Sequence, residues 1–219
     1  MTQELKSLKK IFDHNQCDKG PLKHHYNNVY DKYFIPFVNS NPKRLISILE
    51  VGVYNGNSIR CWIDYFSLEN IERIVGIDIF ERVPREEVYA RFSEQEREKI
   101  QLIQADSTEH VDLGEAQFDY IIDDGCHTPE TNEKTFRNLI PYLKNQTGIY
   151  FIEDVWPLDV MNDKELNHRW IKYNHPKLYT QSKFKSFMNS LDGYYVVRHD
   201  QRKVSGQPDS YIFAISKND

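Results

Sequence analysis

Apolar side chains follow two alternating rhythms along the chain. At four places they recur at i, i+3, i+4 and i+7, the period that gives a helix one buried face. These are Tyr30, Tyr33, Phe34 and Phe37; Ile59, Trp62, Ile63 and Phe66; Phe136, Leu139, Ile140 and Leu143; and Phe184, Phe187, Met188 and Leu191. Between them lie short runs rich in β-branched residues: Leu45 to Val51, Ile74 to Ile79, Ile100 to Ala105, Phe118 to Asp123 and Gly148 to Glu153. Such runs predict strands buried in a parallel sheet. Strands alternating with helices over short connections predict a doubly wound, mostly parallel α/β sheet, with ligands at the carboxyl ends of its strands. Two further runs, Tyr194 to His199 and Ser210 to Ser216, are joined by a polar loop containing Gly and Pro without a helix. They predict a C-terminal antiparallel hairpin. More than half of residues 81–99 are charged, and the segment reads as a solvated helix or loop on the rim.

The strand ends carry the candidate chemistry. Ile48 to Ser58, ILEVGVYNGNS, runs from a strand through a turn into a helix, a ready site for an anionic ligand group. Gly52 and Gly56 let the backbone bend and a ligand approach. The spacing is not the G-x-G-x-x-G of dinucleotide sites, and a purely structural turn explains it as well. The next strand ends at Asp78, 22 positions after Gly56, about where a doubly wound fold bonds a ribose hydroxyl. The third ends at Asp106, which serves equally well as a turn or cap residue. Together the three strand ends point to an adenosine-type ligand.

The next two strands end in FDYIIDDGCH and GIYFIED, bringing Asp123, Asp124, Glu153 and Asp154 to one sheet edge. Their mutual repulsion is costly without a cation, and a hard ion such as magnesium takes oxygen ligands. Side chains alternate along a strand, so not all four carboxylates point the same way. Without a metal they read as strand-end residues and helix caps. His127 precedes Thr128-Pro129-Glu130, a helix start with a cap, a proline at the first position and an acidic first turn. Beside the carboxylates it is a candidate general base; elsewhere it would be an ordinary surface histidine.

Composition narrows the partners. The 219 residues suit a single α/β domain with modest additions, and 28% charged with 39% hydrophobic residues is ordinary for a globular protein. A net charge of -5 argues against a nucleic-acid backbone as partner. No apolar run approaches the roughly 20 residues of a membrane helix, and the charged start MTQELKSLKKIFDHNQ lacks the pattern of a secretory signal, so a cytoplasmic protein is expected. Cys17, Cys61 and Cys126 fit neither a disulfide framework nor a zinc motif and read as free thiols.

The series E-V-G-x-x-x-G, G-I-D and Q-A-D resembles the motifs of class I S-adenosylmethionine-dependent methyltransferases. The resemblance implies a seven-stranded Rossmann-like sheet with a reversed seventh strand and S-adenosylmethionine as cofactor. It places Glu50, Gly52, Gly56 and Ser58 around the methionine moiety, Asp78 on the ribose and Asp106 near the adenine. I-D-D-G-x-H followed by I-E-D, preceded by D-K-G-x-x-x-H-H-Y, L-E-V-G and S-I-R-x-W, is similar to the metal-dependent sugar O-methyltransferases of macrolide biosynthesis, the mycinamicin type. That similarity covers residues 17–156 and implies Mg2+ on Asp124, Glu153 and Asp154, with His127 removing the acceptor proton. Asp123 is left on the cofactor side or in a structural role. Asp18, Lys19, His24, His25 and Tyr26 match a segment that closes over cofactor and acceptor. Cys126 stands where serine is expected, and the pattern ends after Trp156.

The implied organisation is a helical cap over residues 1–40 and a methyltransferase domain over 41–219, with an acceptor-side insertion at 155–193. Trp156, Trp170 and Tyr173 in that insertion either stack on the acceptor or pack the lid. The expected reaction is methyl transfer to a hydroxyl of a sugar, a glycosylated metabolite or a related diol-bearing small molecule. A homo-oligomer is compatible with it. Two other readings stay open on sequence: a nicotinamide-dependent oxidoreductase on a similar sheet, and a non-catalytic protein that binds S-adenosylmethionine or metal.

Overall fold

The computed structural model describes residues 7–40 and 44–218, so the first six residues of the expected cap and residues 41–43 lie outside the described residues. The β-branched runs form β1 (Ile46–Val51), β2 (Ile71–Asp78), β3 (Ile100–Gln104), β4 (Tyr120–Asp123) and β5 (Ile149–Ile152). The closing hairpin is β6 (Tyr194–Asp200) and β7 (Tyr211–Lys217). The seven strands lie in the order β3-β2-β1-β4-β5-β7-β6. The first five pair parallel, and β7 runs against both β5 and β6. A reversed strand inserted before the edge distinguishes this sheet from the 3-2-1-4-5-6 order of dinucleotide-binding folds.

Helices cover both faces, as a sheet apolar on both sides requires. On one face lie α1 (Leu8–His14), α2 (Asn27–Ser40) and α3 (Asn57–Phe66). Their Phe12, Tyr30, Phe34 and Trp62 pack on Ile48, Tyr120, Ile122 and Phe151. The charged stretch 81–99 supplies two short helices, α4 (Arg85–Tyr89) and α5 (Glu94–Arg97). Within it Val88 and Phe92 are buried and close over Gly56, so the rim segment is anchored rather than wholly solvated. On the other face α6 (Pro129–Leu139) begins as expected, with the Thr128 hydroxyl accepting from the Thr131 amide at 3.2 Å. The apolar period continues to Leu143, but the helix ends at Leu139 and a 3-10 turn, Ile140–Tyr142, follows. Pro141 has no N–H to continue the helical ladder.

Beyond Trp156 come α7 (Asp163–Leu166), a π-turn at Trp170–Asn174 and α8 (Gln181–Ser190). Phe187 of α8 stacks on Phe213 at 5.7 Å, which makes α8 part of the layer over the sheet. Trp156 is buried against His168 and Tyr179, whereas Trp170 and Tyr173 are exposed. The hairpin connection, expected to lack helix, contains the one-turn α9 (Arg202–Ser205), closed by Gly206 at φ 74°. Four residues are too few to show an apolar period. No described helix is long and apolar enough to cross a membrane.

Candidate active site

The turn after β1 and the end of β4 touch at Gly52. Its φ is +83°, and a Cβ there would lie 2.0 Å from the carbonyl oxygen of Asp124. Only glycine lets these strand ends meet, which places the cofactor-type turn and the acidic cluster on one sheet edge. Gly56, at φ +79°, leads into α3, where Ser58 is buried. At the end of β2 the Asp78 carboxylate accepts the amides of Tyr54 at 2.9 Å and Phe80 at 2.8 Å. Tyr54, whose amide it holds, and the next residue, Ile79, are both exposed. Asp106 accepts the amide and hydroxyl of Thr108 at 2.9 and 2.8 Å and is itself exposed, the geometry of a turn residue.

Glu50 lies inside the protein. Fully buried, it accepts the Trp62 indole N–H at 3.1 Å, and its other oxygen is 3.8 Å from the Lys19 ammonium. Burial pushes its pKa up to about 7 against the pull of Lys19. Asp123 is also buried; one oxygen accepts the Gly125 amide at 3.3 Å and the other has no partner. Burial raises it to about 7, with His127 opposing.

Three carboxylates remain. Asp124 gives Oδ2 to the Lys19 ammonium and holds Oδ1 3.7 Å from His127 Nε2. Glu153 accepts Lys19 on Oε2 at 2.7 Å and the Tyr30 hydroxyl on Oε1. Asp154 accepts the Tyr26 hydroxyl at 2.7 Å, while its own amide donates to the same hydroxyl at 3.1 Å. Burial raises Asp154 to about 7, with His127 opposing. Both His127 and Asp154 sit in the left-handed region, at φ 60° and 51°, a strain of the kind that clusters at functional sites. His24 Nδ1 lies 2.8 Å from the Ser210 hydroxyl and 3.3 Å from Asp154. Burial, reinforced by Lys23, drives its pKa down to about 3, so it meets Asp154 as a neutral ring.

A divalent cation fits this donor set. Ligand atoms of Asp124, His127 and Asp154 lie within 4.8 Å of one another, and His127 Nδ1 is buried without a hydrogen-bond partner. Magnesium would prefer the carboxylate oxygens, which leaves the imidazole for proton transfer. Glu153, assigned to the metal with Asp124 and Asp154, is outside that group. Sequence reasoning foresaw the crowding of charge but not the roles of Lys19, Tyr26 and Tyr30. Their positions in D-K-G-x-x-x-H-H-Y and at the start of α2 carry no periodic signal for a contact more than 100 residues away.

Residues 49–155 match a family model described as a methyltransferase domain. Over 153 residues the chain is 28% identical to the 8-demethyl-8-(2-methoxy-alpha-L-rhamnosyl)-tetracenomycin-C 3'-O-methyltransferase of Streptomyces olivaceus, covering 68% of this chain and 37% of that one. It is 28% identical over 145 residues to the demethylmacrocin O-methyltransferase of Streptomyces fradiae, covering 61% of this chain and 32% of the relative. The chain thus spans roughly a third of the length of these curated relatives. Among solved structures, the MycE methyltransferase of the mycinamycin pathway, in complex with Mg and SAH, shares its fold with a TM-score of 0.64 at 20% identity, over 98% of this chain and 55% of that one. The domain match and the sheet order together liken the chain to the class I S-adenosylmethionine-dependent methyltransferases. Its strand-end motifs resemble those of the sugar O-methyltransferases of the mycinamicin type.

Proposed function

We propose that the chain transfers a methyl group from S-adenosylmethionine to a hydroxyl of a sugar or related diol-bearing small molecule, with His127 as general base. The observation that carries this reading is the position of His127: held in a strained backbone conformation, 3.7 Å from Asp124 and grouped with Asp154, at the edge where the cofactor-type turn also ends. The name of the Streptomyces olivaceus relative, a 3'-O-methyltransferase of a rhamnosyl compound, supports the acceptor class.

The turn from Gly52 to Gly56, with Ser58 behind it, receives the methionine end of the donor. Asp78 receives the ribose, and Asp106 lies on the adenine side. Glu50 and Asp123 brace this half from beneath. Magnesium or another hard divalent ion, held by Asp124, Glu153 and Asp154, would supply positive charge that lowers the pKa of an acceptor hydroxyl. His127 accepts that hydroxyl's proton, and the oxygen then takes the methyl carbon as its bond to the sulfonium sulfur breaks. Orientation supplies much of the rate, since this transfer develops little charge for the protein to stabilise. Residues 1–40 act as the cap and 155–193 as the acceptor side.

Transfer of labelled methyl to a panel of glycosides with free vicinal hydroxyls, with and without magnesium, tests the reading. His127→Ala should lower turnover by about 10²–10⁴-fold while S-adenosylhomocysteine still binds. Equal turnover by this variant would overturn the base assignment.

A further inference from the structure

Between Leu166 and Leu191 the chain carries five lysines and arginines and no acid, its longest stretch without one, although acids outnumber bases 33 to 28 overall. Lys183 pairs with Glu130 of α6 at 2.8 Å. Arg169, Lys172 and Lys177 are exposed, and among the described residues they meet no carboxylate. Cations so concentrated repel one another, a cost that a bound anion removes. Two exposed aromatic rings stand among them: Trp170 is 43% exposed and Tyr173 70%.

This patch adjoins the edge that carries His127. Trp156, two residues beyond Asp154, packs on the rings of Tyr179 at 5.9 Å and His168 at 5.2 Å. The Tyr179 hydroxyl accepts the Trp170 indole N–H at 3.4 Å, and Trp170 crosses His175 at 4.2 Å, so the indole is fixed and still partly open. Burial raises the pKa of the Tyr179 phenol against that hydrogen bond, and Cys126, Asp209 and Asp154 add to the rise, which sets the hydroxyl among the residues around His127. The resemblance to the sugar O-methyltransferases ends after Trp156, so the acceptor of this chain can differ from theirs at this face.

A neutral glycoside offers the cations no partner, and the net charge of -5 disfavours a polynucleotide. A planar ring joined to a compact anion satisfies both halves. Nucleobases of any kind stack on an exposed indole, and guanidinium and ammonium groups bind phosphate oxygens. We propose that the acceptor arrives as a nucleoside diphosphate sugar, its base on Trp170, its diphosphate on Arg169, Lys172 and Lys177, and its sugar reaching past Tyr179 to His127. This rests on the proposed function for the transfer itself and names the class of its acceptor. The chemistry is unchanged: the sugar oxygen gains the methyl carbon, the sulfur keeps the electron pair of the broken bond, and His127 takes the hydroxyl proton.

Calorimetric titration of the full chain with UDP, dTDP, ADP and GDP, and with uridine and pyrophosphate, tests the site in metal-free buffer containing S-adenosylhomocysteine. At least one nucleoside diphosphate should bind about tenfold or more tightly than uridine or pyrophosphate, since it engages both halves at once. Trp170→Ala should weaken it by about 5–150-fold, the range of one base on one aromatic ring, and leave pyrophosphate unchanged, while Trp170→Phe keeps most of the affinity. Arg169→Gln combined with Lys172→Gln should weaken nucleotide and pyrophosphate alike, by about tenfold or more. If Trp170→Ala does not fold, that double variant decides. No binding of a nucleoside diphosphate, affinities that none of these variants moves, or binding to phosphatidylserine vesicles in place of nucleotides would overturn the proposal. Transfer of labelled methyl separates it from the function it rests on: a nucleoside diphosphate sugar should be methylated with a kcat/KM at least about tenfold above the methyl glycoside of the same sugar. Equal values, or transfer to the methyl glycoside alone, would overturn the proposal and leave the proposed function standing. No transfer to any sugar in either form would overturn both.

Discussion

Tyr26→Phe removes a single oxygen atom and isolates what holds the end of β5. The hydroxyl donates to Asp154 Oδ1 at 2.7 Å and accepts the Asp154 amide at 3.1 Å, with both residues buried. Phenylalanine keeps the buried ring and its stacking on His24 at 5.2 Å, so the apolar contribution changes little. A hydrogen bond to a charged group contributes about 1.5–3 kcal/mol, and a buried amide left without a partner costs about 1–3 kcal/mol. Part of this returns if Asp154 relaxes from φ 51°, a conformation that costs on the order of 1–3 kcal/mol. A net loss of about 2–4 kcal/mol follows. Urea unfolding should show a lower midpoint at an unchanged slope. Affinity for S-adenosylhomocysteine should hold, because Asp78 and the Gly52 turn are untouched, while affinity for a divalent ion falls. A stability loss under about 0.5 kcal/mol, the range of an indifferent surface change, would refute the idea that this hydroxyl fixes Asp154.

Gly52→Ala forces a Cβ to within 2.0 Å of the Asp124 carbonyl at φ +83°, so it should cost upwards of about 4 kcal/mol or prevent folding; an unfolding midpoint close to wild type would show that the two strand ends can separate. Glu96 is held by Arg60, whose hydrogen bond lowers its pKa from 4.5 to about 2. Its contribution is fully present above pH 4.5 and is lost as pH falls through about 2. Glu96→Gln should therefore flatten the dependence of Tm on pH across that acid window, and an unchanged slope would show the pair to be screened by solvent.

The strands and helices were legible because burial on a regular element leaves a period. The residues Tyr30 to Phe37 and Ile59 to Phe66 bury the faces their spacing marks. The carboxylates were legible because a doubly wound sheet collects its strand ends at one edge. Periodicity could not distinguish the partners within that edge. The crowding of negative charge called for a cation, but a lysine is among the side chains least often buried, and the match of Lys19 to a closing segment does not tie it to the carboxylates. Likewise Tyr30 reads as an apolar position and Tyr26 as part of the closing segment, whereas their hydroxyls bind Glu153 and Asp154. Glu50 follows the motif of the methionine site, yet Trp62 and Lys19 turn it inward. The break at Leu139 was written in Pro141, which the apolar period alone ignores.

Binding of an S-adenosyl ligand and a divalent ion at one sheet edge can be measured directly by thermal unfolding of the wild-type chain and Asp124→Ala, with S-adenosylhomocysteine and magnesium added singly and together. At about 100 times its dissociation constant the nucleoside should add roughly 2.7 kcal/mol, or about 5–10 °C in Tm for a chain of this size. Both proteins should show that shift, and magnesium should raise Tm further in the wild type alone. No shift with S-adenosylhomocysteine, or an equal response of Asp124→Ala to magnesium, would contradict the site described.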